Sequence, residues 1–197
     1  LFKLLESENP DVRLDAWKVA GRLLEHGVLT PGEVEEAKMY LFELLESDDD
    51  YVRERAWFVA INLFEHGVLA REDARDLLRL LESENPDVRL DAWNHVVDLL
   101  EHGVLTPGEV EERKRHLFEL LESNSGYVRE RAWEIVHRLL RRGILTPGEV
   151  EEAKMYLFKL LESDDDYVRE RAWFVAINLF EHGVLAREDA RDLLRLL

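Results

Sequence analysis

The sequence has no cysteine and no glutamine, and only five of its 197 residues are proline. Without cysteine the chain has no disulfide, no thiolate nucleophile and no cysteine-ligated metal. It also lacks any run approaching the roughly 18 consecutive apolar residues of a membrane span, and it does not start with the basic, apolar and small-residue pattern of a signal peptide. These absences predict a soluble protein, with the cytoplasm as its expected location.

Basic residues are outnumbered, because 43 aspartates and glutamates stand against 26 lysines and arginines, for a net charge of -17. A surface with this charge repels phosphate backbones and anionic lipid headgroups. We therefore expect neither a nucleic acid nor a membrane as partner. A protein or peptide partner remains, and the net charge predicts that it is basic.

The chain is an array of helical repeats. The motif L-L-E-S-x-x-x-x-V-R-x-x-A-W occurs five times, with steps of 40, 36, 40 and 40 residues between its tryptophans, which are Trp17, Trp57, Trp93, Trp133 and Trp173. Residues 27–81 recur at 143–197 with only two differences, Val28/Ile144 and Glu43/Lys159. Strand signals are missing, and a period of this length indicates a solenoid in which each repeat contacts its neighbours.

Each repeat carries signals for two helices. In the first copy Asn9 is a good N-cap and Gly27 offers a left-handed C-cap, which predicts one helix around Trp17. Thr30 and Glu33 then form a capping box, which predicts a companion helix. A single array is expected, with repeat units at 1–29, 30–69, 70–105, 106–145 and 146–185 and a terminal half repeat at 186–197.

The opening V-R-x-x-A of each tryptophan helix resembles the HEAT repeat, in which an apolar helix, an acidic turn and a helix beginning Val-Arg-x-x-Ala recur. The matching residues are Val12, Arg13, Ala16, Val52, Arg53, Ala56, Val88, Arg89, Ala92, Val128, Arg129, Ala132, Val168, Arg169 and Ala172. The resemblance implies an all-α fold, a right-handed superhelical α-α solenoid of about five two-helix repeats, with the tryptophan helices on its concave side. The chain departs from the family six residues before the arginine, where serine replaces the usual aspartate at Ser7, Ser47, Ser83, Ser123 and Ser163.

Differences between the copies show which positions the repeat architecture leaves free. Along the tryptophan helices these positions fall at offsets of three and four, which places them on one helical face. This stripe consists of Lys18, Gly21, Arg22, Phe58, Ile61, Asn62, Asn94, Val97, Asp98, Glu134, His137, Arg138, Phe174, Ile177 and Asn178. One interpretation is a protein-binding surface with its apolar members as hot spots. The other is a plain solvent-facing surface, or packing of Phe58 and Ile61 against a neighbouring repeat.

No catalytic, cofactor-binding or metal site is predicted. Four histidines share the context Glu-His-Gly at a helix end, where the helix dipole favours a positive imidazole: His26, His66, His102 and His182. The acidic triples 48–50 and 164–166 are explained by N-capping, because the spacing of an EF-hand is missing. His95 replaces an apolar residue at a predicted core position, and it is either a buried histidine with a partner or a functional group.

Two functions fit these observations. The leading hypothesis is a non-enzymatic repeat scaffold that binds a protein or peptide through the concave face of its tryptophan helices. The alternative is a recently duplicated or engineered array whose copies stack end to end and have no ligand of their own. Because the sequence starts and stops inside the repeat motif, we expect both ends to be cut from a longer array, and exposed apolar residues such as Leu1, Phe2, Leu193, Leu194 and Leu197 predict head-to-tail contacts between chains.

Overall fold

The computed structural model describes residues 1–151 and 153–193. Every regular element in these ranges is a helix, which confirms the predicted all-α class. The chain forms two compact units, Leu1–Val110 and Glu111–Leu197. The boundary between them falls within one helix, Pro107–Leu121.

The first unit contains three tryptophan helices with companion helices between them. Its helices are α1 (Phe2–Leu5), α2 (Pro10–Glu25), α3 (Pro31–Val34), α4 (Lys38–Leu45), α5 (Asp50–Glu65), α6 (Ala74–Leu81), α7 (Pro86–Asn94) and α8 (Val96–Glu101). Short 3-10 turns, Glu35–Ala37 and Arg71–Asp73, precede α4 and α6. The tryptophan helices are α2, α5 and the pair α7 and α8.

The second unit repeats this pattern with two tryptophan helices. The helix α9 (Pro107–Leu121) is followed by α10 (Gly126–Arg141), α11 (Pro147–Glu151), α12 (Lys154–Leu161), α13 (Asp166–Glu181) and α14 (Arg187–Leu193). Its tryptophan helices are α10 and α13. Among the helices of the described residues, none is long and apolar enough to cross a membrane.

Local signals place the ends of the tryptophan helices. At the start of α2 the Asn9 side chain accepts a hydrogen bond from the backbone N–H of Asp11 at 3.0 Å. At its end Gly27 adopts a φ of 65°, and the Val28 N–H returns to the Leu23 carbonyl at 2.8 Å. Only glycine adopts this backbone conformation freely, and the same turn ends every tryptophan helix.

The arginine of the V-R motif hydrogen-bonds the backbone of the serine that stands where the HEAT pattern has an aspartate. The Arg53 guanidinium donates to the backbone carbonyl of Ser47 at 2.8 Å, and Arg89 donates to that of Ser83 at 3.2 Å. The same bond joins Arg169 to Ser163. The arginine therefore holds the turn between the companion helix and the tryptophan helix through a backbone carbonyl, where no aspartate side chain is present.

The core is a seam of tryptophan and leucine between successive helices. Trp17, Trp57, Trp93 and Trp133 are fully buried. In the first unit α2 packs against α5, and in the second α10 packs against α13. Each buried side chain of this size contributes about 1.5–3 kcal/mol, so burial in this seam outweighs any single surface ion pair, worth about 0–1 kcal/mol.

Two expectations for the tryptophan helices are wrong. The three-and-four spacing of the first tryptophan helix places Val19 on the buried face with Ala16, Trp17 and Ala20, but Val19 is 49% exposed. The repeated motif predicts one continuous helix around each tryptophan, but the third is interrupted at His95, which separates α7 from α8. Two valines follow His95, and β-branched residues lower helix propensity. The His95 ring stacks on Trp57 with centroids 4.6 Å apart, a tertiary contact available at the break.

Candidate functional site

A groove lies between the first two tryptophan helices, α2 and α5. Its cavity volume is about 520 Å³, within the usual range for ligand pockets. The lining residues are Trp17, Lys18, Arg22, Glu25, Tyr51, Glu54, Arg55, Phe58, Val59 and Asn62. Four of them, Lys18, Arg22, Phe58 and Asn62, belong to the predicted stripe, so the fold brings these four together.

The groove has a buried apolar floor and an exposed rim. Trp17 and Val59 are buried, whereas Phe58 is 72% exposed. Packing of Phe58 against a neighbouring repeat, one of the alternatives from the sequence, is therefore excluded. An aromatic side chain with this exposure beside an apolar floor offers a surface that a partner can cover.

The charges on the rim are mixed, with an excess of basic groups. Lys18, Arg22 and Arg55 face Glu25 and Glu54. The Lys18 ammonium binds the Asp15 carboxylate at 2.9 Å, and this hydrogen bond lowers the pKa of Asp15. Arg55 lies over the Tyr51 ring at 5.2 Å, and no ion pair to Arg55 occurs among the described residues. The guanidinium of Arg55 is therefore available for a carboxylate.

The sequence analysis missed three residues of the rim, Tyr51, Glu54 and Arg55. They precede Phe58 by seven, four and three positions, so they share its helical face. These positions also differ between copies, since Arg55 corresponds to Asp15 and Asp91. That variation was a usable signal, and following the face one turn further towards the start of the helix would have found them.

The second unit holds the corresponding stripe residues in a different electrostatic setting. The Arg171 guanidinium binds the Glu130 carboxylate at 3.1 Å and also pairs with Glu134. Arg131 binds Glu134 as well, at 2.6 Å. Phe174 and Ile177 are exposed, and Asn178 is half-buried.

The histidine of the stripe, His137, is half-buried beside His182, with ring centroids 5.4 Å apart. Burial lowers the pKa of His137 from its usual range. Arg138, the next stripe residue, is exposed. These residues lie on α10, outside the groove between α2 and α5.

The other stripe residues of the first unit are less exposed. Asn94, Val97 and Asp98 are half-buried, and the Asp98 carboxylate lies 3.3 Å from Nδ1 of His95. Ile61 is also half-buried, and Gly21 is buried. A Cβ at Gly21 would lie 3.0 Å from the Asn62 side-chain oxygen, so glycine at this position leaves room for a residue of the groove.

The histidines of the Glu-His-Gly turns lie where the dipole argument predicts. Nδ1 of His66 lies 2.8 Å from the Asn62 carbonyl, and Nδ1 of His102 lies 2.8 Å from the Asp98 carbonyl. The acidic triples also cap helices, because the Asp49 side chain accepts from the Val52 N–H at 3.2 Å. Among the described residues, no group of three or more His, Asp or Glu side chains is arranged to hold a metal ion.

No protein-family model and no curated protein matches the sequence. The chain is similar to a solved structure described as "Structural Basis of Microtubule Plus End Tracking by XMAP215, CLIP-170 and EB1", with 17% identity, a TM-score of 0.59, and coverage of 98% of this chain and 82% of that one. It also matches the designed armadillo repeat protein YIII(Dq)4CqI, at 16% identity and a TM-score of 0.43, over 90% of this chain and 98% of that one. A computationally designed armadillo repeat protein for modular peptide recognition matches at 18% identity and a TM-score of 0.44, over 90% and 79%.

At these identities the similarity shows the fold alone. The chain has a HEAT/armadillo-like helical repeat fold, as the V-R-x-x-A pattern implied.

Proposed function

We propose that the chain is a non-enzymatic repeat scaffold that binds a short segment of another protein in the groove between α2 and α5. One observation carries the proposal: Phe58, the most exposed large apolar side chain among the described residues, lines a cavity of about 520 Å³ beside the unpaired Arg55. An apolar contact flanked by a charge-assisted hydrogen bond is the usual composition of a binding hot spot.

The rim charges favour a segment that combines an apolar side chain with a carboxylate. Lys18 is paired with Asp15, but Arg55 has no ion pair among the described residues, although the chain as a whole is acidic. The net charge predicts a partner that is basic as a whole, since the acidic surface attracts such a protein at long range. The segment that enters the groove can still be acidic. Within the groove, Arg55 is the group that a carboxylate of the bound segment would meet, and this favours an acidic segment there.

The second unit offers a built-in comparison. The groove-lining residues of α5 recur unchanged in α13, but the preceding helix differs, with Leu14 and Lys18 in α2 replaced by Glu130 and Glu134 in α10. Those two carboxylates pair with Arg171, the counterpart of Arg55. Arg171 is therefore already neutralised, and we assign peptide binding to the first groove only.

The proposal is tested by selecting binders from a random peptide library displayed on phage, with the purified chain as target. Selected peptides should contain aspartate or glutamate within a few residues of an aromatic or aliphatic side chain. Their affinity, measured by fluorescence anisotropy, should fall about tenfold or more for Phe58→Ala and for Arg55→Glu.

The matched control is Phe174→Ala, which makes the same change in the identical sequence of the second unit. It should leave the affinity unchanged. Peptides that bind the Phe58→Ala variant as tightly as the wild type, or a selection that returns only basic peptides, would contradict the proposal.

A second candidate function is end-to-end stacking of copies. It is favoured by the apolar surface at one edge of each unit, where Val19 in the first unit and Phe180 in the second are both exposed. Of the terminal leucines expected to contribute, Leu1 is exposed, while Leu194 and Leu197 lie outside the described residues.

A further inference from the structure

For packing, a repeat is counted as a tryptophan helix with the companion helix that follows it, so residues 7–46 are the first repeat, 47–82 the second, 83–122 the third and 163–197 the fifth. The second and fifth repeats have the same sequence but differently covered surfaces. Residues 47–81 and 163–197 are identical. Phe64, in the second repeat, is 5% exposed, whereas its counterpart Phe180 is 47% exposed. The second repeat is followed by the third, whose helix α7 packs against α5. In α13 the corresponding apolar surface, at Phe180, is open to solvent.

Specific polar contacts hold the third repeat against the second. Nε of Arg53 donates to the Asp91 carboxylate at 2.7 Å. Arg71 donates to the Val104 carbonyl at 2.9 Å and to the Glu109 carboxylate at 2.7 Å. We call these three contacts, together with the stacking of His95 on Trp57, the two-to-three junction.

The first repeat carries the acceptors of this junction without an arginine bound to them, because Asp15 binds Lys18 and Glu33 binds Thr30 of the same repeat. Residues 7–17 are identical to 83–93, and residues 25–36 are identical to 101–112. Asp15, Val28 and Glu33 therefore correspond to Asp91, Val104 and Glu109. Val28 is 65% exposed whereas Val104 is 2% exposed, which shows that the contact surface of the first repeat is open.

The fifth repeat carries the donors. Arg169 corresponds to Arg53 and Arg187 corresponds to Arg71. Arg169 keeps the local contacts of its counterpart, to the Ser163 carbonyl and to Asp166. Among the described residues it has no counterpart of Asp91. The donors and acceptors of the two-to-three junction thus lie on two surfaces of the same chain, where their described contacts are local to their own repeats.

We propose that the fifth repeat of one copy docks on the first repeat of a second copy in the register of the two-to-three junction. Arg169 then binds Asp15 of the second copy, and Arg187 binds Glu33 and the Val28 carbonyl of the second copy. Trp173 and Phe180 are covered at the same time. This inference rests on the second candidate function, end-to-end stacking, and it adds the surface, the register and the partner.

The register is selective because the acceptor position differs between repeats. An aspartate occupies it only in the first and third repeats, as Asp15 and Asp91. The other repeats have Arg55, Arg131 and Arg171 there. An aspartate at this position can pair with Arg169, whereas an arginine cannot, so the first repeat offers the better partner surface. A head-to-tail contact of this kind leaves one free surface at each end of the pair, so association continues as the concentration rises.

One overlap limits the strength of docking. Leu1–Leu5 and residues 193–197 both correspond in sequence to Leu77–Leu81, which directly precede the third repeat. Leu1–Leu5 pack against α2 within one chain, so docking in this register requires them to leave that place. Docking is therefore expected at high protein concentration, where mass action compensates for the displaced segment.

The test is a charge exchange followed by sedimentation velocity over a wide concentration range. The wild type should show a weight-average mass that rises with concentration. Arg169→Asp and Asp15→Arg should each raise the apparent dissociation constant about tenfold, because each places like charges at the junction. An equimolar mixture of the two variants should recover much of the association, because the exchanged charges again meet as a pair.

Charge-matched controls are Arg75→Asp and Asp87→Arg, at exposed positions outside the proposed contact. They should leave the wild-type behaviour unchanged. Asp15 is exposed and binds only Lys18 among the described residues, so the Asp15→Arg variant remains informative even if Arg169→Asp disturbs its own turn.

The outcomes separate the register from stacking itself. A wild-type chain that stays monomeric up to its solubility limit overturns both. Association that is insensitive to both variants, or that the mixture fails to recover, overturns the register and leaves end-to-end stacking standing.

Discussion

The second and fifth repeats have the same sequence, but equivalent side chains in them are buried to different extents. Their tryptophan helices, Asp50–Glu65 and Asp166–Glu181, have identical sequences and the same capped ends, yet Trp57 is buried and Trp173 is half-buried. Arg53 is buried and bonded across to Asp91, whereas Arg169 is half-exposed. Local structure is thus set within the repeat, while burial is set by the repeat that follows.

The preceding repeat determines whether an equivalent arginine forms an ion pair. Arg55 and Arg171 occupy equivalent positions, but α2 presents Lys18 to the former and α10 presents Glu134 to the latter. Arg55 therefore stays available for a ligand, whereas Arg171 is held in ion pairs with Glu130 and Glu134. The function we propose for the first groove therefore depends on the pairing of two helices, each ordinary by itself.

The largest change in stability is expected at the equivalent tryptophans Trp57 and Trp173. Trp57→Ala should destabilise the chain by about 3–5 kcal/mol, because the fully buried indole leaves a cavity in the seam. Trp173→Ala should destabilise it by roughly half as much, because part of that indole is already in water. Chemical denaturation followed by circular dichroism measures both. Equal losses would show that the following repeat contributes little to burial.

A smaller effect is expected at the phenylalanines of the same helices. Phe64→Ala removes a side chain that is almost entirely buried, and we expect a loss of about 3 kcal/mol. Phe180→Ala should cost under about 1 kcal/mol when the protein is dilute, because nearly half of this side chain is exposed. If copies stack as proposed, raising the protein concentration should increase the loss at Phe180 and leave that at Phe64 unchanged.

The capping-box glutamates Glu109 and Glu33 allow a comparison of how stability depends on pH. The Arg71 hydrogen bond lowers the pKa of Glu109 from its ordinary 4.5 to about 2. A carboxylate with a depressed pKa stabilises the folded chain above pH 4.5, and this contribution disappears as the pH falls from about 4.5 to about 2. Glu109→Gln should therefore lower stability by about 0.5–1 kcal/mol at pH 7 and by nothing near pH 2.

Glu33 is the matched control for Glu109, since it sits in the same Thr-Pro-Gly-Glu sequence. Its pKa is lowered by the Thr30 hydrogen bonds, without an arginine among the causes. Glu33→Gln should therefore have the smaller effect of the two. Thermal melting of both variants at pH 7 and pH 3 provides the measurement, and equal effects would remove Arg71 as the cause.

The sequence predicts the structure that is set within a repeat, but not the burial that depends on neighbouring repeats. Asn9, Gly27 and the Thr30–Glu33 box fixed the helix ends correctly, because caps act through residues adjacent in the chain. The exposure of Val19 and Phe180 could not be predicted from the repeat, because identical or similar residues are buried elsewhere in the chain. Pattern reasoning treats all copies alike, whereas burial depends on which neighbour is present.

The groove was predictable only in part, for a related reason. Comparing copies of one helix identified Lys18, Arg22, Phe58 and Asn62, but it could not show that two helices contribute to one cavity. Neither could it distinguish Arg55 from Arg171, whose own repeats are identical. The difference lies in the facing side chains of the preceding helix, which become neighbours only after the helices pack.

The smallest change in stability, and the sharpest test of the groove, comes from making the second unit resemble the first. Glu130→Leu combined with Glu134→Lys gives α10 the residues that α2 has at Leu14 and Lys18. Arg171 loses both carboxylates but stays half-exposed to water, and leucine removes the cost of burying the Glu130 carboxylate, so we expect a net stability change of under about 1 kcal/mol.

Peptides selected on the wild-type groove should then bind this double variant at two sites per chain, as measured by isothermal titration calorimetry, since the two carboxylates that pair with Arg171 are gone. Adding Phe174→Ala should return the stoichiometry to one. If the double variant binds one peptide while the first groove still functions, the charges of the preceding helix are not what opens the site, and the contrast between the two units has another origin.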